Sequence, residues 1–440
     1  MKLSQSWVEC KMLDLPKVFI TQKGEKHAKT GHPWVFEGEV VKVIPTSPGN
    51  IPIDESQLID GCQLIDGCQL VDGSLVNVFS RSEDKPCYIG TGFYNSKSKI
   101  RVRLVSSNAN DRFDENFWRR RLKYALDYRK TVMGEDFHSC RLIFGEADQF
   151  PGLTVDLFED VLVCQVLSLG IERIKNMLFS SLVELLSDYG VKIRAVYERN
   201  DVNLREKEGM DEFKGYFMGG ENSDGTVRIT ENGIKYDVDY VNGQKTGFFL
   251  DQKYNRLSAA KLAKGRVVLD CFTHTGAFAL NCAAAGASRV TAVDISASAI
   301  EQTKHNAEIN NLCGNMDFLC ADVFELLTEM VKKKEQRYDY IILDPPAFTK
   351  SSSTVKDAFR GYKDINYRAM RALPRGGYLA TCSCSHFMKN ELFCKMLHEA
   401  ASDAGVNLRQ IEARTQSPDH PILWNVDETD YLKFYLFQVV

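Results

Sequence analysis

The pattern of apolar and polar residues predicts a small β-rich region at the start of the chain. Between residues 17 and 104, short apolar runs are broken by Gly, Pro, Asn and Ser, which is typical of strands joined by tight turns. The runs are KVFI, HPWVFEGEVVKVI, SLVNVFS, CYIGTGFY and KIRVRLV. We therefore expect residues 1–105 to form an all-β domain.

A helical period and then a mixture of elements follow this region. Phe117, Trp118 and Leu122 have the spacing of one helix face, whereas residues 119–121 fall off that face. The predicted elements are a helix over 111–130, strands at LTVDLF, VLVCQVL and IRAVYER, a helix over 171–189, and an exposed linker over 219–225. Residues 106–230 are thus expected to form a mixed α+β central domain.

From residue 266 onward, apolar strands alternate strictly with amphipathic helices. The strand-like runs are RVVLDCF, RVTAVD, MDFLCAD, YDYIILD, GGYLATCS, VNLRQIEA and YLKFYLFQVV. Such alternation predicts an α/β fold with a doubly wound parallel sheet. We place this domain at residues 231–440 and expect its last two strands to pair as an antiparallel hairpin.

Composition favours a folded protein of several domains. The 440 residues are 44% hydrophobic and 26% charged, which excludes a disordered chain. No apolar run approaches the length of a membrane helix, and the first residues have too little apolar length for a signal peptide. We expect a soluble, cytoplasmic protein without membrane contact. The thirteen cysteines and eight histidines lack CxxC or zinc spacing, which predicts free thiols and no metal.

Residues 57–74 contain a short repeat. The hexapeptide QLIDGC occurs twice in succession and is followed by QLVDGS. Three copies are too few to stack into a β-helix. We expect a lengthened hairpin with Asp-Gly turns and assign it no function.

Charge is unevenly distributed along the chain. The net charge is −4, yet residues 97–130 contain eleven Lys and Arg against four acids. This segment is a candidate phosphate-tracking surface for a nucleic acid. The alternative is a solvated helix face whose charges are balanced in space by acids elsewhere.

Four strands of the predicted doubly wound sheet close on an acid. These acids are Asp270, Asp294, Asp322 and Asp344. In such a sheet, ligands bind beyond the carboxyl ends of the strands. The turn after the first of these strands has a single glycine instead of a GxGxxG loop, which makes a nicotinamide dehydrogenase the weakest interpretation. S-adenosylmethionine suits the turn better, with its ribose on Asp294 and its adenine near Asp322. Any one acid at a strand end is more often a helix N-cap, but four in register with a DPP turn are hard to explain as caps alone.

Several strings resemble a known family. VLDCFTHTGAF, VTAVD, CAD and ILDPPAF match the class I methyltransferase motifs in order and spacing. QKTGFFLDQKYNR at 244–256 resembles the large-subunit ribosomal RNA cytosine-C5 methyltransferase I family. KGEKHAKTGHPWVFEGEV, GEADQFPGLTVDLFED, and DHPIL with YLK resemble its PUA domain, its central domain and its last segment.

The resemblance implies a Rossmann-like class I methyltransferase domain preceded by a small β-barrel PUA domain and a mixed α+β domain. It further implies S-adenosylmethionine as cofactor and large-subunit rRNA as partner, and it leaves a homodimer open. The implied cofactor residues are Gln244, Phe249, Asp251, Asn255, Asp270, Phe272, Thr275, Gly276, Asp294, Asp322 and Asp344. The RNA residues that we expect are Pro345, Phe348, Lys23, Arg119, Arg120 and Arg121.

Methylation at carbon 5 of cytosine requires a nucleophile. Carbon 5 reacts poorly until a thiolate adds to carbon 6, so a cysteine is needed beside the cofactor. Cys382 and Cys384 end the strand-like run after ILDPPAF, and alternation puts both thiols on one face. The resemblance aligns Cys384 with the family cysteine, and Cys382 is the second choice. We expect the pKa of Cys384 not to be raised as in an apolar core. Two buried structural cysteines are the alternative.

The DPP turn leaves the product open. We expect Asp344 to form a hydrogen bond with N3 or the amino group of the base. Pro345 and Phe348 are expected to shape the site that holds the base. Related two-cysteine enzymes have a second cysteine after the proline, where this chain has Ala347. The turn also resembles the [D/N]PP[F/Y] motif of amino-group methylation. An rRNA guanine or adenine nitrogen methyltransferase, or a PUA-type RNA-binding factor with an inactive domain, are therefore the alternatives.

Overall fold

The computed structural model describes residues 12–45, 70–81, 86–221, 223–349 and 351–440. Both QLIDGC copies lie outside the described residues. The chain forms two compact units, of which the first contains residues 1–225 and 423–426 and the second residues 226–422 and 427–440. Among the described residues, no helix is both long and apolar enough to cross a bilayer.

The first unit begins with a six-stranded sheet in the order β2-β6-β5-β4-β1-β3. Its elements are β1 (Lys17–Ile20), α1 (Gln22–Lys29), β2 (Trp34–Phe36), β3 (Val40–Ile44), β4 (Leu75–Ser80), β5 (Tyr88–Tyr94) and β6 (Ile100–Ser106). Val18, Val35, Val76 and Val102 form part of its core. The expectation of an all-β region was wrong because α1 intervenes. The Thr21 hydroxyl starts this helix by accepting a hydrogen bond from the Gly24 amide.

The first unit continues with a five-stranded sheet in the order β11-β10-β9-β8-β7. Its elements are α2 (Glu115–Met133), β7 (Ser139–Phe144), β8 (Leu153–Phe158), β9 (Val161–Val166), α3 (Leu169–Asp188), β10 (Ala195–Asn200), α4 (Leu204–Lys207) and β11 (Phe213–Met218). Strands β7 and β11 were not predicted. In β7, Arg141 interrupts the apolar alternation. The structure accommodates it through a bidentate ion pair with the buried Asp156 of β8, at 2.7 and 2.8 Å.

The second unit contains a hairpin and a seven-stranded sheet. The elements before the sheet are β12 (Thr226–Glu231), β13 (Ile234–Asp239) and α5 (Lys253–Ala260). The sheet and its helices comprise β14 (Val267–Cys271), α6 (Ala277–Ala284), β15 (Arg289–Asp294), α7 (Ala297–Ile309), β16 (Met316–Cys320), α8 (Val323–Lys333), β17 (Tyr340–Leu343), α9 (Val355–Ala372), β18 (Tyr378–Ser383), α10 (Asn390–Ala404), β19 (Leu408–Arg414) and β20 (Lys433–Val439).

The strand order of this sheet locates the ligand crevice. The order is β16-β15-β14-β17-β18-β20-β19, with the first five strands parallel and the last two antiparallel to their neighbours. The doubly wound fold and the terminal antiparallel pair are therefore confirmed. The chain runs outward from β14 to β16 and then restarts at β17 on the other side. Ligands in such folds bind where the order reverses, at the carboxyl ends of β14 and β17.

Candidate cofactor and catalytic site

Asp270 and Asp344 lie at the point where the strand order reverses. Asp270 is in β14, and Asp344 directly follows β17, whose Leu343 pairs with Cys271 of β14. The Asp344 amide extends the ladder by donating to the Cys271 carbonyl at 3.5 Å. Two of the four predicted acids therefore stand on adjacent strands at the ligand edge.

Asp270 is the acid that best fits a cationic ligand. It is 1% exposed, and its Oδ2 accepts hydrogen bonds from the Thr273 hydroxyl at 2.6 Å and the Ala279 amide at 2.9 Å. Its Oδ1 is buried and accepts no hydrogen bond from the described residues. Burial raises the pKa of Asp270 to about 7. A buried acceptor left without a donor costs about 1–3 kcal/mol, which the ammonium of an amino acid would relieve.

The turn after β14 has an unusual backbone. Phe272, His274 and Gly276 all have positive φ, at 64°, 52° and 82°. At Gly276 a Cβ atom would meet the Thr303 side chain at 2.6 Å, so only glycine fits there. Non-glycine residues in this conformation cost about 1–3 kcal/mol and cluster at ligand sites. The turn therefore has the strain that is expected of a ligand clamp.

The predicted acid Asp294 helps to hold this turn in place. Its Oδ2 accepts a hydrogen bond from the His274 amide and its Oδ1 one from the Ser296 amide, both at 3.0 Å. Each oxygen keeps a second lone pair for a ribose hydroxyl. Ile295, which follows it, is 70% exposed and gives the sheet edge an apolar surface. Sequence reasoning missed Ile295, because nothing in an apolar strand-end residue marks it as exposed.

Asp322 fits the helix-cap interpretation. It is the N-cap of α8, and its Oδ1 accepts a hydrogen bond from the Glu325 amide at 3.1 Å. The N-caps of α6, α7 and α9 are Gly276, Ser296 and Thr354. Capping thus accounts for Asp322 but not for Asp270, Asp294 or Asp344.

The QKTGFFLDQKYNR segment reaches the site through a residue that was not predicted. Gln252 donates a hydrogen bond from its side-chain amide to Asp344 Oδ1 at 3.1 Å. The predicted Asn255 is 1% exposed and is occupied by Gln252, Arg414 and the Thr415 carbonyl. Gln252 lies between two predicted positions in the string, so its polar side chain was the available signal.

The other predicted residues of this segment differ in placement. Phe249 packs edge-on against His274, with ring centroids 5.0 Å apart. Asp251 is buried, and its Oδ2 accepts a hydrogen bond from the Tyr431 hydroxyl at 2.6 Å. Gln244 is exposed, and its carbonyl accepts a hydrogen bond from the Gly247 amide. Phe249 therefore packs on the turn after β14 and Asp251 is held by Tyr431, whereas Gln244 is exposed.

The predicted turn residues Phe272 and Thr275 are partly buried. The Thr275 carbonyl accepts a hydrogen bond from the Asn306 side chain at 3.0 Å. Phe272 packs against the hydrophobic core of the second unit. The structure thus gives both residues contacts within this unit.

The two candidate cysteines differ in exposure. Cys382 lies within β18 and is fully buried, whereas Cys384 follows the strand and is partly exposed. Burial raises the pKa of Cys382 well above its ordinary value. Of these two residues, Cys384 is the one with surface exposed to solvent.

The expectation about the pKa of Cys384 was wrong. The pKa of Cys384 is raised to about 11, mainly by burial and then by the carboxylates of Asp344 and Asp251, although the Lys245 ammonium lowers it. Burial and the two carboxylates disfavour the charged thiolate more than the Lys245 ammonium favours it. Burial likewise raises the pKa of Asp344 to about 7, so this carboxyl can hold a proton at neutral pH.

An aromatic cluster lies beside the DPP turn. Phe348 packs against Tyr362 and Phe324, with ring centroids 4.5 and 6.1 Å apart, and Pro345 is buried. The Tyr362 hydroxyl is 3.0 Å from the Ser385 hydroxyl, one residue past Cys384. The turn after β17 and the turn after β18 are thus linked through Tyr362.

The four basic residues among the predicted RNA residues lie in the first unit, and most of them have partners. Arg119 pairs with Glu184 at 2.6 Å. The Arg121 guanidinium lies 4.4 Å from the centroid of the Phe117 ring, and burial lowers its pKa to about 10. Arg120 is exposed, with no carboxylate within 4.0 Å among the described residues. The Lys23 side chain is 76% exposed and lies 4.0 Å from Glu39.

The fold and the acidic site define a class of protein. The sheet is doubly wound, and at its switch point lies a buried carboxylate with one oxygen that has no donor among the described residues. The chain has a DPP turn and no glycine-rich phosphate loop. This combination is typical of an S-adenosylmethionine-dependent methyltransferase. A family model described as S-adenosylmethionine-dependent methyltransferase matches residues 190–438, and a PUA-like domain model matches residues 18–107. The predicted cofactor, the PUA-like domain and the methyltransferase domain are therefore confirmed.

Curated relatives identify the family. Ribosomal RNA large subunit methyltransferase I of Pseudoalteromonas translucida is 37% identical over 96% of this chain and 99% of its own length. The protein of the same name from Aliivibrio fischeri is 36% identical over 96% of this chain and 99% of its own length. The chain belongs to the ribosomal RNA large subunit methyltransferase I family.

Solved structures agree in fold. A chain described as a S-adenosylmethionine-dependent methyltransferase from Streptococcus mutans has a TM-score of 0.76 at 20% identity, covering 96% of this chain and all of the other. A methyltransferase solved with S-adenosylhomocysteine has the same score, identity and coverage. At this identity the similarity supports the fold alone.

Proposed function

We propose that the protein methylates carbon 5 of a cytosine in large-subunit ribosomal RNA, with Cys384 as the nucleophile. The observation that carries this proposal is the position of the partly exposed residue Cys384 at the carboxyl end of β18, the strand that pairs with β17, which Asp344 follows. The name shared by the relatives supports the RNA substrate. S-adenosylmethionine, when bound, supplies the electrophilic methyl group.

Cys384 and Asp344 divide the activation of the base between them. The Cys384 thiol first gives its proton to solvent. The thiolate electron pair then forms a bond from sulfur to carbon 6, and the C5=C6 π pair moves to the C4–C5 bond. The C4=N3 pair then passes to N3, which takes a proton from Asp344. With a pKa of about 7, Asp344 can hold that proton at neutral pH.

The same two residues reverse these movements after transfer. At transfer, the C4=C5 π pair forms the bond from carbon 5 to the methyl group and the C4=N3 bond is restored. Carbon 5 then loses its proton to solvent, the C–H pair forms the C5=C6 bond again, and the pair of the bond from sulfur to carbon 6 returns to sulfur, which regains a proton from solvent. N3 returns its proton to Asp344. The pair of groups thus ends in its starting protonation state, which a single-cysteine enzyme requires.

The acids at the switch point would hold the cofactor. Asp270 Oδ1 would accept from the amino-acid ammonium, Asp294 from the ribose hydroxyls, and Ile295 would lie against the adenine. Gln252 would keep Asp344 in position for the base. Asp322 is proposed only as a neighbour of the adenine, since it caps α8.

The domain organisation is part of the proposal. Residues 1–105 would act as the PUA-type RNA-binding domain, residues 106–230 as a central domain, and residues 231–440 as the methyltransferase domain. Lys23, Arg119, Arg120 and Arg121 would contact RNA phosphates. Pro345 and Phe348 would shape the base site.

A nitrogen methyltransferase is the second candidate. The raised pKa of Cys384 favours it, because a thiol with a pKa of about 11 is ionised in only about one molecule in ten thousand at pH 7. The DPP turn suits either product. In this alternative Cys384 would be dispensable and Asp344 would bond the amino group or ring nitrogen.

Covalent trapping separates the two candidates. RNA that carries 5-fluorocytosine at the target has no proton at carbon 5 to lose, so the wild-type enzyme should stay covalently attached to it. Cys384→Ala should form no adduct and should transfer no methyl group, while Cys382→Ala, the matched control, should keep partial activity and form the adduct. An adduct that persists in Cys384→Ala but disappears in Cys382→Ala would exchange the two roles.

Nucleoside analysis completes the test. Labelled methyl transfer to total rRNA, followed by digestion and mass spectrometry, should give 5-methylcytosine. A methylated guanine or adenine, together with no adduct in the wild type, would establish the nitrogen chemistry. No cofactor binding at all would support an inactive RNA-binding factor.

A further inference from the structure

Lys433 is a buried lysine beside the turn that carries Cys384. It is the first residue of β20 and pairs with Ser383 of β18 in the antiparallel ladder. It is only 5% exposed. Lysine is almost never so buried unless its ammonium is fully engaged. The YLK string to which it belongs was noted in the sequence without any role.

The ammonium of Lys433 is directed at the backbone of the catalytic turn. Its Nζ donates hydrogen bonds to the Ser385 carbonyl at 2.7 Å and to the Tyr431 carbonyl at 2.8 Å. Ser385 is the residue immediately after Cys384. Its hydroxyl also contacts Tyr362 of α9 at 3.0 Å, and its amide donates to the Ser383 hydroxyl at 3.4 Å. The turn is therefore held from β20 and from α9 together.

Tyr431 extends the same arrangement to the cofactor segment. Its hydroxyl donates to Asp251 Oδ2 at 2.6 Å, while its carbonyl accepts from Lys433. The YLK string thus touches the cofactor segment at one residue and the Cys384 turn at another. Placing a cation there has a cost, because burial disfavours a charged ammonium. A purely structural contact could be made by an uncharged side chain.

We propose that Lys433 is a positioning residue for the nucleophile: it fixes the Cys384 turn, and its positive charge favours the thiolate of Cys384. This inference rests on the proposed function of Cys384. It supplies a reason for a charged group at this buried position.

The charges around the two groups define when the effect operates. Cys384 faces Asp344 and Asp251, which disfavour its thiolate, and Lys245, which favours it. Lys433 faces Cys384, Asp430 and Lys389, and its charge also acts on His386. Burial lowers the pKa of Lys433 to about 8, so the ammonium is present below about pH 8 and is lost above it.

Alkylation of Cys384 measures the effect without RNA or turnover. Lys433→Met removes the charge and keeps the apolar stem, Lys433→Arg keeps the charge, and Lys389→Met is the matched control at an exposed lysine. The iodoacetamide reaction of each full-length protein is followed from pH 6.5 to 10 by peptide mass spectrometry, with the exposed Cys320 as internal reference.

The expected result is specific for Cys384. At pH 7.5, Lys433→Met should slow its alkylation roughly tenfold relative to Cys320, since one pKa unit corresponds to a factor of ten in thiolate. Lys433→Arg should restore most of the rate, and Lys389→Met should match the wild type. S-adenosylmethionine affinity should remain unchanged by calorimetry. Equal Cys384 rates in Lys433→Met and the wild type would overturn the inference.

Two further readouts keep the test decisive. If Lys433→Met unfolds, Lys433→Arg decides, because guanidinium does not titrate in this range and the inflection of the wild-type rate near pH 8 should vanish. An inflection unchanged in Lys433→Arg would refute the inference. Trapping with 5-fluorocytosine RNA separates the two proposals. If the wild type forms no adduct, the proposed role of Cys384 is wrong. If the wild type and Lys433→Met are trapped at equal rates, the proposed role of Lys433 is wrong.

Discussion

Two clusters of like charge differ in how the protein treats them. Of the two acids at the switch point of the second unit, Asp344 is half-buried and Asp270 is fully buried, and the Oδ1 of Asp270 has no donor among the described residues. The arginines of α2 are the reverse case, since Arg119 has a carboxylate partner and Arg121 lies on an aromatic ring. A cluster of like charges can therefore mark either a ligand site or a surface whose charges already have partners. Desolvation without a partner is what distinguishes the site.

The sharpest test of this difference is Asp270→Asn. An amide keeps the shape of the side chain but cannot offer a charged oxygen to an ammonium, so S-adenosylmethionine affinity should fall roughly 10-fold to 100-fold, measured by calorimetry. The ligand-free protein should gain thermal stability, because the variant no longer buries a carboxylate. Arg121→Ala is the contrasting control and should lose stability without losing cofactor affinity. Unchanged affinity in Asp270→Asn would remove this acid from the cofactor site.

Asp294→Ala should have the next largest effect. One carboxylate that bonds two ribose hydroxyls contributes roughly 1.5–3 kcal/mol, so cofactor affinity should fall about tenfold or more. Part of the loss would come from the strained turn, because Asp294 accepts from the His274 amide. Asp294→Asn separates the contributions, since its side-chain oxygen can still accept one of the two backbone hydrogen bonds. Asp322→Ala should cost stability through the lost helix cap and little affinity.

Stability should depend on pH in a way that the cofactor reverses. Burial raises the pKa of Asp270 and of Asp344 to about 7, above the unfolded values near 4. The folded state therefore binds more protons than the unfolded state between about pH 4 and 7, and stability from these groups falls as pH rises through that window. Above pH 7 the full destabilisation remains.

Calorimetric melting of the ligand-free protein and of Asp270→Asn checks this pH dependence. The melting temperature of the wild type relative to the variant should decline from pH 5 to 7.5. The stabilisation by S-adenosylmethionine should grow over the same range, because its cationic groups meet ionised carboxylates. A constant difference between the two proteins across the window would contradict the assignment of the raised pKa to Asp270.

The sequence could predict the sheet of the second unit because apolar residues recur at the regular spacing of a strand or a helix in each of its elements. It could not predict β7, because Arg141 interrupts the apolar alternation of this segment. The ion pair with Asp156 that allows a charged residue there forms only in the folded sheet. Their positions at strand ends predicted Asp270 and Asp344 as site residues. The lack of a hydrogen-bond donor to Asp270 Oδ1 among the described residues and the raised pKa of Cys384 depend on burial, which the sequence does not show. The QKTGFFLDQ string predicted which segment contributes to the site. It could not predict that Gln252 contacts Asp344, because that contact depends on the folded path of the backbone.

The smallest expected effect concerns Arg120 and tests the surface side of the comparison. On the proposed function, Arg120 is the member of the cluster that is free to neutralise an RNA phosphate. Each neutralised phosphate contributes about 0.7 to the slope of log affinity against log salt for single strands, so Arg120→Ala should lower that slope by about this amount. Arg119→Ala should change it less, because Glu184 already pairs with that guanidinium. Filter binding to rRNA fragments at several salt concentrations gives the slopes, and cofactor affinity should be the same in all three proteins. Equal slopes for Arg120→Ala and the wild type would make the whole cluster a solvated helix face.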